Sequence, residues 1–112
     1  MAIDTGLDRR FTEAADSLLE LSSRPMMGGT CFFLNGNMLG GADRTPLGGR
    51  FMFRVGKDQE AEALTQPGAS IVMAGKKRMG GMIFVDETVC DQRALRDWIR
   101  LAVSFVRPMP PK

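Results

Sequence analysis

Apolar positions near the start of the chain recur with a helical period. Phe11, Ala14, Ala15, Leu18 and Leu19 fall at i, i+3, i+4, i+7 and i+8, which places them on one face of a helix. Thr5, with Asp8 three residues on, predicts the capped start. Ser22-Ser23-Arg24-Pro25 closes the helix, because proline disfavours helical geometry in the residue before it. The pattern then turns to strands. Residues 30–34 are short, aromatic and apolar, and Asn35-Gly36 follows, a preferred pair for a two-residue hairpin turn with positive φ at both positions. Residues 37–42 return, residues 43–49 read as a loop punctuated by Pro46 and Gly48-Gly49, and residues 50–55 alternate. In that third strand Phe51, Phe53 and Val55 point one way, Met52 and Arg54 the other.

A short helix begins at Asp58, with Gln59 and Glu60 in its first turn, Ala61 and Leu64 inward, and Pro67-Gly68 as its stop. Residues 69–73 and 78–85 form a second strand pair joined across residues 74–77, and Gly80-Gly81 predicts a bulge or a close backbone approach. The last helix runs from an Asp91 cap towards Arg107, with Leu95, Trp98, Ile99, Ala102, Phe105 and Val106 as its apolar face, and Pro108 ends it. Trp98 reads as its core anchor. The order α-β-β-β-α-β-β-α predicts an α+β fold in two layers, a five-stranded antiparallel sheet with flanking helices, in one domain over residues 1–112.

Composition narrows the chemistry. The chain holds 112 residues, enough for one core, and its net charge of +2 names no partner. There is no histidine and no tyrosine. Ser-His-Asp and Cys-His nucleophilic systems and histidine metal sites are therefore closed, and acid–base work would fall to shifted carboxylates, lysine or cysteine. Cys31 and Cys90 have no metal-ligand or CxxC spacing; they read as buried reduced thiols, with a redox pair as the alternative. No metal or cofactor is expected. The first ten residues are polar, unlike a signal peptide, and no apolar run reaches the roughly 20 residues of a membrane span, so the cytoplasm is the expected compartment.

Three features compete for a functional role. Four Gly-Gly doublets fit neither phosphate-loop pattern and read as turn and bulge geometry. Gly28-Gly29 stands out because it joins helix to strand beside Met26-Met27, so Met26, Met27, Gly28 and Gly29 are the candidate partner-binding segment. The nine methionines, with Met73, Met79 and Met82 on the second strand pair, fit either core filling or an adaptable surface. Lys76, Lys77 and Arg78 at a hairpin, with Arg93, Arg96 and Arg100 on one helix face, are candidate nucleic-acid contacts. No aromatic residues alternate with them as a stacking platform would require. Asp86 and Glu87 read as loop solvation.

Several segments together resemble the TfoX N-terminal domain family. Arg24-Pro25-Met26-Met27-Gly28-Gly29 is similar to its R-x-M-F-G-G opening, with Met27 where phenylalanine is usual. Phe33-Leu34-Asn35-Gly36-Asn37-Met38 resembles its strand–turn–strand segment, and Phe51-Met52-Phe53-Arg54-Val55 its third strand. Gly75-Lys76-Lys77-Arg78-Met79 and Leu95-Arg96-Asp97-Trp98 resemble its G-x-x-x-M hairpin and L-x-x-W helix. The resemblance implies an antiparallel sheet with flanking helices. In the founding two-domain proteins, the family implies a regulator of natural competence acting with the cyclic-AMP receptor protein at promoters. The expected function is a non-catalytic regulatory or adaptor module that binds a protein, a transcription factor among the options. Nucleic-acid binding through the two basic clusters is the alternative, and an enzyme using a shifted carboxylate or Cys31 comes third. A homodimer through a sheet edge or an uncovered face stays open.

Overall fold

The computed structural model describes residues 2–112. Helix α1 spans Thr5–Ala14, and its cap is Asp4, whose carboxylate accepts from the Leu7 N–H at 3.0 Å. Leu7 and Phe11 carry its buried face. The apolar period that runs on to Leu19 is not helix: Asp16 and Ser17 form a turn, Leu18 folds back onto the core, and Leu19 is 93% exposed. Short polar side chains at that point compete for backbone hydrogen bonds and favour turns over helix.

The expected sheet of five strands has six. Residues 22–25, read as a helix stop, lie within strand β1, Leu21–Met26, which pairs with β2, Gly29–Leu34. An outer strand with one paired side tolerates Pro25, whose missing N–H faces outward. Strands β3, Asn37–Thr45, and β4, Gly48–Arg54, absorb the expected loop at 43–49 into a hairpin turning at Pro46-Leu47. Asp43 pairs in register with Arg50, and the two side chains join across the strands at 2.8 Å. Helix α2, Lys57–Ala63, leads to β5, Ala69–Ala74, and β6, Lys77–Asp86. Ala63 rather than Ala61 is its buried alanine, with Leu64 half-buried. A 3₁₀ turn, Glu87–Val89, precedes α3, Gln92–Val106, which is capped by Asp91 as expected.

All pairings are antiparallel, in the order β1-β2-β3-β4-β6-β5. The connection through α2 steps over β6, leaving β5 on the outside. The expected hairpin at Asn35-Gly36 is present, with φ of +53° and +81°. The expected irregularity at Gly80-Gly81 is a break in the β5–β6 register, with Gly81 at φ +80°.

The helices cover one face of the sheet. There Phe11 stacks on Phe32 at 4.1 Å between ring centres and Trp98 on Phe53 at 5.4 Å. Phe11 seats over bare backbone: a Cβ at Gly40 would lie 2.2 Å from the Met52 carbonyl oxygen and 3.5 Å from the Phe11 ring. Phe105, expected on the buried face of α3, is 38% exposed. No helix among the described residues is long and apolar enough to cross a membrane.

Candidate functional site

Strands β2 and β6 are apolar on both phases, and β4 adds Met52 between Arg50 and Arg54 on its second phase. Alternate residues Phe32, Leu34, Phe51, Phe53, Ile83 and Val85 enter the helix-side core. Their neighbours Cys31, Phe33, Met52 and Met82, with Val72 of β5, form a second buried cluster on the other face, and Met38, Met79 and Phe84 pack against it. A sheet covered on one face alternates apolar with polar positions, so apolar residues in both phases mark a second apolar surface.

Curvature of the sheet gathers that surface. Neighbouring strands are about 4.8 Å apart, so the outer two of six would lie about 24 Å apart in a flat sheet. Yet Met26 and Met27, at the β1–β2 turn, and Val72 and Met73 of β5 line one depression of about 70 Å³ together with Cys31 and Met52. The two edges curl towards each other over the helix-free face. Glycine permits this where strands crowd: a Cβ at Gly41 would lie 2.6 Å from the Thr30 carbonyl oxygen.

The segment singled out from the sequence sits at the mouth of the depression. It joins strand to strand rather than helix to strand: Met27 and Gly28 are the two turn residues, with φ of +57° and +79°. Gly29 serves differently. A Cβ there would lie 2.5 Å from the Ala42 carbonyl oxygen, so β3 passes where a side chain would stand. Met26 and Met27 are 40% and 42% exposed. Met82, weighed in the sequence as core filler or adaptable surface, and Cys31, read as a buried thiol, join this face with Met52, Val72 and Phe84; the last three escaped the sequence, because the strand order that unites them is set by long-range pairing. The signal that pointed to this face was the unbroken apolar runs at Cys31-Phe32-Phe33-Leu34 and Met82-Ile83-Phe84-Val85.

Two arginines lie over aromatic rings: Arg50 lines the depression, and Arg24, over Phe33, lines a separate hollow. The Arg24 guanidinium lies 4.4 Å from the Phe33 ring centre and that of Arg50 3.6 Å from Phe84, cation–π contacts that hold the charge at the edge of an apolar surface. Arg50 is also bound to Asp43 through Nε at 2.8 Å and Nη2 at 3.2 Å. Arg24 has no carboxylate partner among the described residues. Burial pushes the Cys31 thiol up from its ordinary pKa, which keeps it protonated and a poor nucleophile at neutral pH. Cys90, raised by burial to about 11, belongs to the helix-side core. The two thiols therefore lie in separate clusters, both free.

The shifted carboxylates are bound into the scaffold. Glu60 is lowered by the Gly81 N–H and by Arg78, and so clamps the irregular segment of β6 to α2. Asp86 is lowered by the hydroxyl and N–H of Thr88. Asp4 is lowered first by Arg44 and then by the Leu7 N–H. Glu87, read from the sequence as loop solvation, pairs with Arg44 at 3.2 Å and Arg10 at 3.9 Å.

The basic candidates fall on different elements. Lys76 stands in the β5–β6 turn and Lys77 at the start of β6, and Arg78 is held by Glu60. Arg93, Arg96 and Arg100 are exposed on α3, which packs on α1, β3 and β4, and Arg100 pairs with Asp97 at 3.5 Å. Among the described residues no group of three or more Cys, Asp or Glu side chains is placed to hold a metal ion.

In comparison with known proteins, the TfoX N-terminal domain family matches residues 13–106. No curated protein and no solved structure matches the chain significantly.

Proposed function

The chain belongs to the TfoX N-terminal domain family, and from that premise we propose that it is a non-catalytic regulatory or adaptor module whose helix-free sheet face docks onto a partner protein. The observation that carries the proposal is the methionine-lined depression with Met26 and Met27 at its mouth. Methionine is unbranched and polarizable, so such a surface adapts to an apolar partner without a rigid mould. An arginine outside the depression adds a second requirement. Arg24, without a carboxylate partner among the described residues and steadied on Phe33, favours a partner segment that sets carboxylates beside its apolar side chains. A transcription regulator in the cytoplasm is the partner class that family membership favours.

The test places a photo-crosslinking amino acid at Arg24 or Met26, and at Glu62 of α2 as a control on the opposite layer, in cells that make the protein. Adducts of one defined mass from positions 24 and 26, absent from position 62 and lost in Met27→Lys, are expected. Their absence, or equal yield from both layers, would overturn the proposal.

A further inference from the structure

The two outer strands differ in how they meet solvent. β1 carries Arg24 and Pro25, both of which discourage pairing with another chain. β5 reads Ala-Ser-Ile-Val-Met-Ala, without charge or proline, and exposes Ile71 at 38% and Met73 at 46%. On its inner side it pairs with β6, while among the described residues no strand pairs with its outer side. An apolar, uncharged edge is a ready template for strand addition.

We propose that β5 pairs antiparallel with the β5 of a second copy of this chain, joining two six-stranded sheets into one continuous sheet. The charges at its two ends select the occupant and the direction. Beyond one end lie Lys76 and Lys77, exposed and without an ion-pair partner among the described residues. Beside the other end lies Asp86, whose N–H donates to the Gly68 carbonyl at 3.1 Å. Thr88 binds Oδ1 of Asp86 through its N–H and hydroxyl at 2.8 and 2.7 Å, and Oδ2 has no hydrogen-bond partner among the described residues.

A two-fold axis at Val72 sets Ile71 opposite the partner's Met73, apolar against apolar. It also sets Gly68 opposite the partner's Lys76, one strand spacing from Asp86 and within reach of a lysine side chain. A parallel seam would bring the lysines of both copies together. The contact is isologous, so it closes at two copies. Met73 lines both this seam and the depression proposed for the partner protein, but Ile71, Lys76, Lys77 and Asp86 do not line that depression, so their variants test the seam apart from the docking face.

Sedimentation velocity from low micromolar to near-millimolar protein reads the association. The parent is expected to dimerise with concentration and to loosen with salt. Ile71→Lys is expected to weaken association by roughly tenfold or more, through like charges set at the seam. The register has a sharper consequence in charge exchange. Lys76→Glu/Lys77→Glu chains repel one another at both ends of the seam, as do Asp86→Lys chains, but a mixture of the two has complementary charges at both ends. Each variant alone should be monomeric and the mixture dimeric, with circular dichroism confirming that both fold. Concentration-dependent protection of the β5 amides from hydrogen exchange in the parent is a second readout. A parent that stays monomeric with unchanged β5 exchange, a mixture no more associated than its components, or a dimer that Ile71→Lys leaves intact would each overturn the proposal.

Discussion

Met27 holds a backbone conformation that its side chain does not favour. With φ at +57° it occupies a turn position where asparagine or glycine is usual, as at Asn35, and yet it exposes 42% of its surface. A left-handed residue with a full side chain costs about 1 kcal/mol, so Met27→Asn is expected to raise the unfolding free energy by about that much in urea titrations. The same change is expected to lower the yield of sheet-face adducts. A gain in stability with no change in adducts would remove Met27 from the recognition surface. Glycine is required for space at Gly40, where a Cβ would meet the Met52 carbonyl oxygen at 2.2 Å. Gly40→Ala should cost about 1–3 kcal/mol by forcing β3 from β4. The thiols give a pH signature. Burial holds the Cys90 proton to about 11, whereas an unfolded chain releases it near pH 8.5. The folded state thus binds more protons between those values, so stability is full below about pH 8.5 and falls as pH rises towards 11. Cys90→Ala should flatten that slope, and a parent whose stability does not change from pH 8.5 to 11 would contradict it.

At the scale of elements, what the sequence revealed depended on whether an element buries an apolar stripe. α3 was legible because its buried residues recur at helical spacing and Asp91 caps it, accepting from the Ala94 N–H at 2.8 Å. Asp91→Ala should cost about 1 kcal/mol and lower the melting midpoint by roughly 4–8 °C, while Asp91→Asn should keep most of both. β1 was illegible because it is held by ladder hydrogen bonds on one side and is exposed from Ser22 to Met26; no apolar alternation records such a strand. The same cause hid the ends of β3 and β4, where the Asp43–Arg50 pair sits in a stretch that looks like a loop. For the site, Met26 to Gly29 could be read from an uncommon pairing of methionines with glycines. Met52 and Val72 could not, because their meeting depends on β5 lying outside β6 and on the curl of the whole sheet.

Across the whole molecule, a network of charges lies in the layer opposite the methionine-lined face. On the helix side, one chain of charges links elements far apart in sequence. Asp4 caps α1 through Leu7 and takes the Arg44 Nε of β3 at 2.7 Å; Arg44 reaches Glu87 at 3.2 Å; Arg10 of α1 meets Glu87 and donates to Gln92 of α3 at 2.8 Å. The start of α1, the middle of the sheet and the entry to α3 are thereby fastened together, away from the methionine-lined face. Arg44 and the Leu7 N–H both favour the ionised form of Asp4, which lowers its pKa from 3.8. The unfolded chain therefore binds that proton first on acidification. The stabilisation is present above about pH 4 and is lost as pH falls through the lower folded value. Asparagine at position 4 still caps a helix but has no charge to lose, so Asp4→Asn should melt below the parent at pH 7 and close the gap as the pH approaches 2. Asp4→Ala, which loses the cap as well, should stay below both at every pH. Thermal midpoints for the three proteins across that range decide it, and an Asp4→Asn curve running parallel to the parent's would show that the charge of Asp4 contributes nothing to holding the two ends of the chain on the sheet.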